Sequence, residues 1–215
     1  MTTGSPRFLV ILDVDSTLIE DEVIELIAER AGTRAEVAAV TERAMRGELD
    51  FADSLRARVA TLAGLPISVL DEVRREVRVT AGVPELVAGI HGAGGLIAAV
   101  SGGFHEVLDP LAATIGLDAW RANRLGVANG ELTGQVDGPI VDAAAKADAL
   151  VEWAAAAGIP LPRTVAVGDG ANDLEMMARA GLSIAFDAKP KVRAAADIAI
   201  DIRDLSGVLA VLGLR

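Results

Sequence analysis

Asp13 and Asp15 stand two residues apart in Leu12-Asp13-Val14-Asp15-Ser16-Thr17-Leu18, directly after a short apolar run. In an extended chain residues i and i+2 point to the same side, so both carboxylates face one pocket. Like charges this close repel and lose solvation unless something positive joins them. A hard divalent cation, Mg²⁺, suits that role because it takes oxygen ligands and works with few carboxylates plus phosphate and water. Further donors lie in "VGDGANDLEMM", where Gly168 and Gly170 allow close backbone approach, Asp169 reaches the same metal, and Asn172 and Asp173 follow at a helix start. In "VSGGF", Ser101 offers a hydroxyl and Gly102 an exposed amide, the makings of a phosphate cradle. Lys146, in a stretch otherwise lined with alanine, adds positive charge. Singly, each piece is ordinary: a D-x-D pair marks solvated turn acids, "SGG" a turn, a lone lysine the surface. A cation site, amide donors, a lysine and a carboxylate placed to attack together define phosphoryl-transfer chemistry.

The elements that position these groups are legible from the apolar runs. Phe8 to Leu12, Leu96 to Val100, Thr164 to Val167, Leu182 to Phe186 and Ile198 to Ile200 are short and continuous, as strands covered on both faces are. Between them lie helical stretches with Gly92, Gly116, Gly158 and Gly181 at expected left-handed caps. The alternation predicts an α/β fold, a doubly wound, mostly parallel sheet with ligands outside the carboxyl ends of its strands. Asp13, Ser101 and Asp169 all fall at such ends. Residues 19–80 break the alternation and read as helices alone: Asp21 to Ala31, Arg34 to Met45, Phe51 to Ala63 and Val69 to Val77. Thr33 with Glu36 matches a capping box, and Asp50 and Ser68 are expected N-caps. The chain is therefore expected to divide into a core domain, 1–18 and 81–215, and an inserted helical cap, 19–80. A small β-hairpin insertion is expected at Ala122 to Val136, turning at Asn129-Gly130.

Composition narrows the function classes. Hydrophobic residues are 52% of the 215 and aromatic ones only 3%, which suits helices packed on a parallel sheet. Twenty basic against 31 acidic residues give a net charge of −11, with no basic run, so nucleic acid is not an expected partner. The absence of cysteine excludes disulfides, thiolate metal sites and cysteine nucleophiles. Leu86 to His105 carries no Asp, Glu, Lys or Arg and is about the length of a membrane span. Its six glycines and His91 read better as helix, turn and buried strand. With no signal-peptide pattern at "MTTGSPRFLV", the expectation is a cytoplasmic protein without a membrane partner. His91 and His105 are expected in turns, away from the chemistry.

These motifs resemble those of the haloacid dehalogenase superfamily of phosphohydrolases. "DVDSTL" is similar to its first motif, Ser101 of "SGG" to the second, Lys146 to the third and "GDGANDLEMM" to the fourth. Within it, "MRGELDFADSLRARV", "ANRL", "NGELTG" and "IAFDAKP" resemble, in order, the members acting on O-phospho-L-serine. The resemblance implies an aspartyl-phosphate formed on Asp13, with Asp15 protonating the leaving serine oxygen and then taking a proton from water. It implies Mg²⁺ held by Asp13, the Asp15 main chain and Asp169, with Thr17 and Asp173 behind them. Ser101, Gly102, Lys146 and Asn172 would bind the phosphoryl group, Arg58 the substrate carboxylate and Glu22 its ammonium, while Met45 and Phe51 close over the pocket.

The nearest alternative is the same chemistry on another small ester, such as phosphothreonine, homoserine phosphate or histidinol phosphate. A non-enzymatic phosphoacceptor is disfavoured by the chain's length, the early position of its aspartate and the presence of Asp15. Val14 replaces a phenylalanine common among relatives, a change behind the nucleophile expected to leave the chemistry alone. Because the first strand starts so early, no amino-acid-binding regulatory region of the kind many bacterial relatives carry is expected. A monomer or homodimer is expected.

Overall fold

The computed structural model describes residues 6–45 and 48–214, apart from the Met45 side chain. The first strand, β1 (Leu9–Leu12), leads into a wide turn at Val14–Leu18. There follow α1 (Val23–Ala31), α2 (Arg34–Met45), α3 (Phe51–Ala60) and α4 (Val69–Glu76). The chain then alternates through α5 (Val83–Gly92), β2 (Leu96–Phe104), α6 (His105–Ile115) and the hairpin β3 (Ala119–Ala128) and β4 (Glu131–Asp137). It continues with α7 (Ala143–Ala156), β5 (Thr164–Gly168), α8 (Leu174–Arg179), β6 (Leu182–Phe186), α9 (Pro190–Ala195), β7 (Ile198–Ile200) and α10 (Gly207–Val211). The strands form one seven-stranded sheet in the order β4-β3-β2-β1-β5-β6-β7. All pairs are parallel except β3 with β4. The expected doubly wound α/β architecture is what the chain adopts.

Strand alternation sorts the core into two faces. Val10, Leu12, Ile97, Ala99, Val165 and Val167 point into one cluster with residues of α5, α6 and the helices between β1 and α5. Leu9, Ile11, Ala98, Val100 and Ala166 point into the other, against Ala147, Ala149, Leu150 and Ala154 of α7 and Met176 and Met177 of α8. With both faces dry, the strands read as continuous apolar runs rather than alternating ones. The second face is built largely of alanine, so α7 lies close to the sheet and carries Lys146 into the interior. Truncating a buried Leu or Ile on either face costs about 2–5 kcal/mol.

Several local expectations change. Asp50 caps α3 as expected, its carboxylate accepting from the Asp53 amide at 2.8 Å. Ser68 precedes α4 but makes no cap bond, because its backbone is already helical (φ −59°, ψ −21°) and its oxygen is not aimed at the first turn. Gly116 and Gly158 are left-handed caps, whereas Gly92 lies inside α5 and the positive φ falls on Gly94. Gly181 answers to close approach instead: a Cβ there would meet the backbone of Pro162. The hairpin turns at Asn129-Gly130, both with positive φ (53° and 82°). His91 and His105 lie in helices, not turns; His91 Nε2 contacts Asp118 and His105 Nδ1 contacts Asp109. Among the described residues no helix is long and apolar enough to cross a membrane.

Candidate active site

The order of the sheet reverses between β1 and β5, and the carboxyl ends of these strands open the crevice where α/β folds bind ligands. Asp13 leaves β1 at this point, its amide still bonded to the Val167 carbonyl at 2.9 Å. Its Oδ1 accepts from the Val14 amide at 2.7 Å and from Lys146 Nζ at 2.6 Å. The same ammonium donates to Asp173 Oδ1 at 2.8 Å. Lys146 and Asp173 are both 0% exposed, so the lysine is a fully buried ion-pair centre between two carboxylates. Asp173 Oδ2 accepts the Gly170 amide at 3.0 Å, which closes the loop after β5. Asp169 Oδ1 accepts from Thr17 Oγ1 at 3.3 Å. The bonds of Asp13 to Lys146 and Val167, of Lys146 to Asp173 and of Thr17 to Asp169 join segments remote in sequence.

After Asp13 the chain makes a wide turn, with the Leu18 and Ile19 amides bonding back five residues to the Asp13 and Val14 carbonyls. Ser16 takes a left-handed conformation (φ 59°, ψ 2°), uncommon for a residue with a side chain. The turn puts Asp15 on the crevice wall beside the end of β2. There a Cβ on Gly103 would lie 3.0 Å from both Asp15 Oδ2 and Ser101 Oγ, so a side chain at this position would crowd both groups. Ser101 is buried, and its hydroxyl accepts from the Gly103 amide at 2.8 Å. Asn123 of β3, missed in the sequence, is buried and donates to the Gly102 carbonyl at 2.8 Å while accepting from the Val141 amide at 2.8 Å. It fixes the peptide joining Gly102 to Gly103, whose other side, the Gly103 amide, is held by Ser101 Oγ. The only signal of Asn123 was an amide side chain beside Ala122 in "ANRL".

The crevice is a cavity of about 380 Å³ lined by Asp13, Asp15, Asp169, Gly102, Gly103 and Asn172 below and by Glu22, Phe51 and Arg58 above. Glu22, the residue before α1, is exposed and accepts from Ser16 Oγ at 2.8 Å. Arg58 is half-buried on α3, its Nε on the Ser54 carbonyl at 3.3 Å. Phe51 opens α3 with its ring against Gly102, where a Cβ would meet the ring carbon Cζ at 2.9 Å. Ser54, Leu55 and Lys189 also line the cavity and were not singled out from sequence. Ser101 and Lys146 do not line it: both lie just behind the surface, engaged by Gly103 and by the two carboxylates. The Met45 side chain falls outside the described residues.

The electrostatics are those of crowded, desolvated acids. Burial raises the Asp13 carboxyl well above its usual range, Asp173 adds to this, and Lys146 opposes it. Asp15 is pushed up to about 8, by burial first and by Glu22 next. Asp169 is pushed up to about 6, by burial and then by Asp173. Lys146 is held above its ordinary value, since Asp13 and Asp173 outweigh its burial. Arg58 is lowered by burial, with Glu22 and Asp15 opposing. Carboxylate oxygens of Asp13, Asp169 and Asp173 lie within 4.8 Å of one another, and Asp15 Oδ1 is buried with no hydrogen-bond partner. Four acids share one buried lysine here. An all-oxygen set with this excess of negative charge fits a hard cation.

Residues 10–178 match the family of haloacid dehalogenase-like hydrolases, and the chain belongs to that family. The phosphoserine phosphatase of Streptomyces coelicolor is 56% identical over 206 residues, 96% of this chain and 50% of that protein. The phosphoserine phosphatase of Lactococcus lactis is 48% identical over 201 residues, 94% of this chain and 93% of that protein. A solved structure described as a phospho-aspartyl intermediate analogue of phosphoserine phosphatase matches with a TM-score of 0.90 at 43% identity, covering 96% of this chain and 99% of that one. The chain thus spans half the length of the Streptomyces relative and nearly all of the other two.

Proposed function

We propose that the protein is a phosphatase that hydrolyses O-phospho-L-serine to L-serine and phosphate through an aspartyl-phosphate on Asp13. The observation that carries this reading is the pairing of two unlike acids at the end of β1. Asp13 is held by a buried ammonium, while Asp15 lacks a partner on Oδ1 and stays protonated up to about 8. A nucleophile must be ionised and a general acid protonated: Lys146 opposes the burial that raises Asp13, and a bound cation would lower Asp13 further while Asp15 keeps its proton. The match to phosphoserine phosphatases over nearly the whole chain supports the substrate.

In this mechanism Asp13 attacks phosphorus as the bond to the serine oxygen breaks, and Asp15 gives that oxygen its proton. Water then attacks the phosphorus of the aspartyl-phosphate, its proton passes to Asp15, and phosphate leaves with Asp13 restored. The amide of Gly102, with Asn172 and the nearby Ser101 and Lys146, receives charge on the phosphoryl oxygens. Asp13, the main chain of Asp15 and Asp169 would hold Mg²⁺, with Thr17 and Asp173 steadying the set. The bound cation would neutralise the phosphoryl oxygens and lower the pKa of Asp13. Residues 19–80 serve as a cap over a core made of 1–18 and 81–215. From it Arg58 takes the substrate carboxylate in a two-pronged grip, Glu22 takes the ammonium, and Phe51 with Met45 keeps water out. The enzyme is cytoplasmic, a monomer or homodimer, and its partner is this small phosphomonoester.

Phosphate release from O-phospho-L-serine with and without Mg²⁺, beside Asp13→Asn, tests the reading. Turnover that requires the metal and vanishes in the variant is expected, and unchanged activity in Asp13→Asn refutes it. Comparing kcat/KM with phosphothreonine, homoserine phosphate and histidinol phosphate tests the substrate, and lack of preference for O-phospho-L-serine overturns that part.

A further inference from the structure

The left-handed residue after Asp15 has to be held, and the group that holds it comes from the far end of the chain. Arg203 lies in the loop between β7 and α10, remote in sequence from every motif above. Its Nη2 donates to the Ser16 carbonyl at 3.2 Å, and its Nη1 pairs with Asp187 Oδ2 at 2.9 Å. Ser16 and Asp187 are two of the three non-glycine residues with positive φ, at 59° and 42°, among the described residues. One guanidinium therefore bridges two strained turns. Asp187 is anchored in its own right, its amide on the Ile200 carbonyl at 2.8 Å, so it offers Arg203 a fixed post.

The same loop also braces the return path from the helical segment. The Leu205 amide donates to the Ala81 carbonyl at 2.8 Å, and Leu205 is buried. Gly82 packs so tightly beneath Asp204 and Ser206 that a Cβ there would collide with both. Residues 203–206 thus touch both linkers that join the helices α1–α4 to the sheet: the outgoing one at Ser16 and the returning one at Ala81 and Gly82. The linkers are tied to each other as well, Thr80 Oγ1 donating to the Thr17 carbonyl at 2.7 Å.

We propose that Arg203 is a positioning residue for the reaction: by holding the Ser16 carbonyl it keeps the turn after Asp15 left-handed, and so sets where the Asp15 and Glu22 carboxylates stand. The connection to Asp15 is covalent, one peptide away. The connection to Glu22 runs through Ser16 Oγ at 2.8 Å. Freed from Arg203, the turn relaxes toward negative φ, which rotates the Ser16 peptide and swings the hydroxyl off Glu22. The pair with Asp187 is itself largely exposed and adds little to global stability, so the effect is one of placement.

The proposal rests on the phosphatase reading, and its test keeps the two apart by using O-phospho-L-serine and p-nitrophenyl phosphate side by side. In Arg203→Met, kcat on both substrates is expected to fall roughly tenfold, because Asp15 serves both. KM is expected to rise for O-phospho-L-serine alone, because only that substrate has an ammonium for Glu22. Arg203→Lys recovers part of the loss. In the metal-free chain, amide hydrogen exchange at residues 16–19 quickens in Arg203→Met while that of α7 does not change. The decisive comparison places Arg203→Met in a Ser16→Gly background. Glycine holds positive φ unaided, so the loss there shrinks to about twofold or less. An undiminished loss in that background, or unchanged kcat together with unchanged exchange in Arg203→Met, overturns the proposal. Wild-type turnover of p-nitrophenyl phosphate without turnover of O-phospho-L-serine would instead refute the substrate, leaving the kcat and exchange tests of Arg203 in force.

Discussion

The floor and the roof of the cavity are built on different principles. On the floor Lys146, Asp13 and Asp173 are buried, and the ammonium is shared between two carboxylates remote from it in sequence. On the roof Glu22 is exposed and bonded to Ser16 Oγ, while Arg58 is half-buried and bonded to a carbonyl of its own helix. The floor sits at the ends of strands with apolar clusters on both faces, whereas α2 beside the roof is mostly exposed. Reaction geometry is thus carried by groups that cannot move singly, because a buried charge without its partner is costly. Under the proposed reading, substrate choice would fall to these more lightly held groups.

Substitutions can break or sharpen this contrast. The largest effect is expected for Asp13→Asn, which should lower phosphate release by at least about 10³-fold, as measured under saturating O-phospho-L-serine. Lys146→Met tests whether the floor is both structure and chemistry. It leaves two buried carboxylates facing each other, so a loss of about 3–5 kcal/mol in denaturant unfolding should accompany a large fall in kcat. On the roof, Arg58→Ala should raise KM for O-phospho-L-serine by about 10- to 100-fold. It should change the unfolding midpoint little and leave p-nitrophenyl phosphate turnover close to wild type. If Arg58→Ala were as destabilising as Lys146→Met, the contrast between floor and roof would fail.

Acidity sharpens the same comparison. Asp15 titrates near 8 in the folded chain and near the ordinary carboxylate value once unfolded. A group raised in this way favours the folded state fully below its unfolded value, and that contribution is lost as pH rises through the folded one. The metal-free protein should therefore lose stability between about pH 4 and pH 8. Asp15→Asn should remove at least about 1 kcal/mol of that loss, seen as a flatter midpoint-against-pH curve with chelator present. The smallest effect belongs to the helical segment, where Asp50→Ala deletes one N-cap and should cost about 1 kcal/mol without altering kcat.

Most of the sheet and much of the floor could be read in advance, for a physical reason. Strands buried on both faces must be apolar throughout, so Phe8–Leu12 and Thr164–Val167 announce themselves. The polar residues at their ends then stand out against those runs. Helix signals were less dependable where the backbone chose otherwise: Ser68 sits in helical conformation and caps nothing, and Gly181 is small for the sake of Pro162. The histidines were misplaced because a helix ending or beginning at a polar residue looks like a turn until its partners, Asp118 and Asp109, are known.

By itself the sequence determined which residue types are available for chemistry and in what order strands and helices follow. Both are local properties, set by periodicity and by neighbours in the chain. Only the tertiary structure decided who meets whom. Folding sets Lys146 between Asp13 and Asp173, a pairing that its place in an alanine-rich helix does not announce. Asn123 and Arg203 belong to no short motif, and they gain meaning only where β3 and the last loop are folded against the Gly102 and Ser16 peptides. Such contacts span tens to nearly two hundred residues. Long-range pairing follows from packing of the whole chain, and no window of residues contains it.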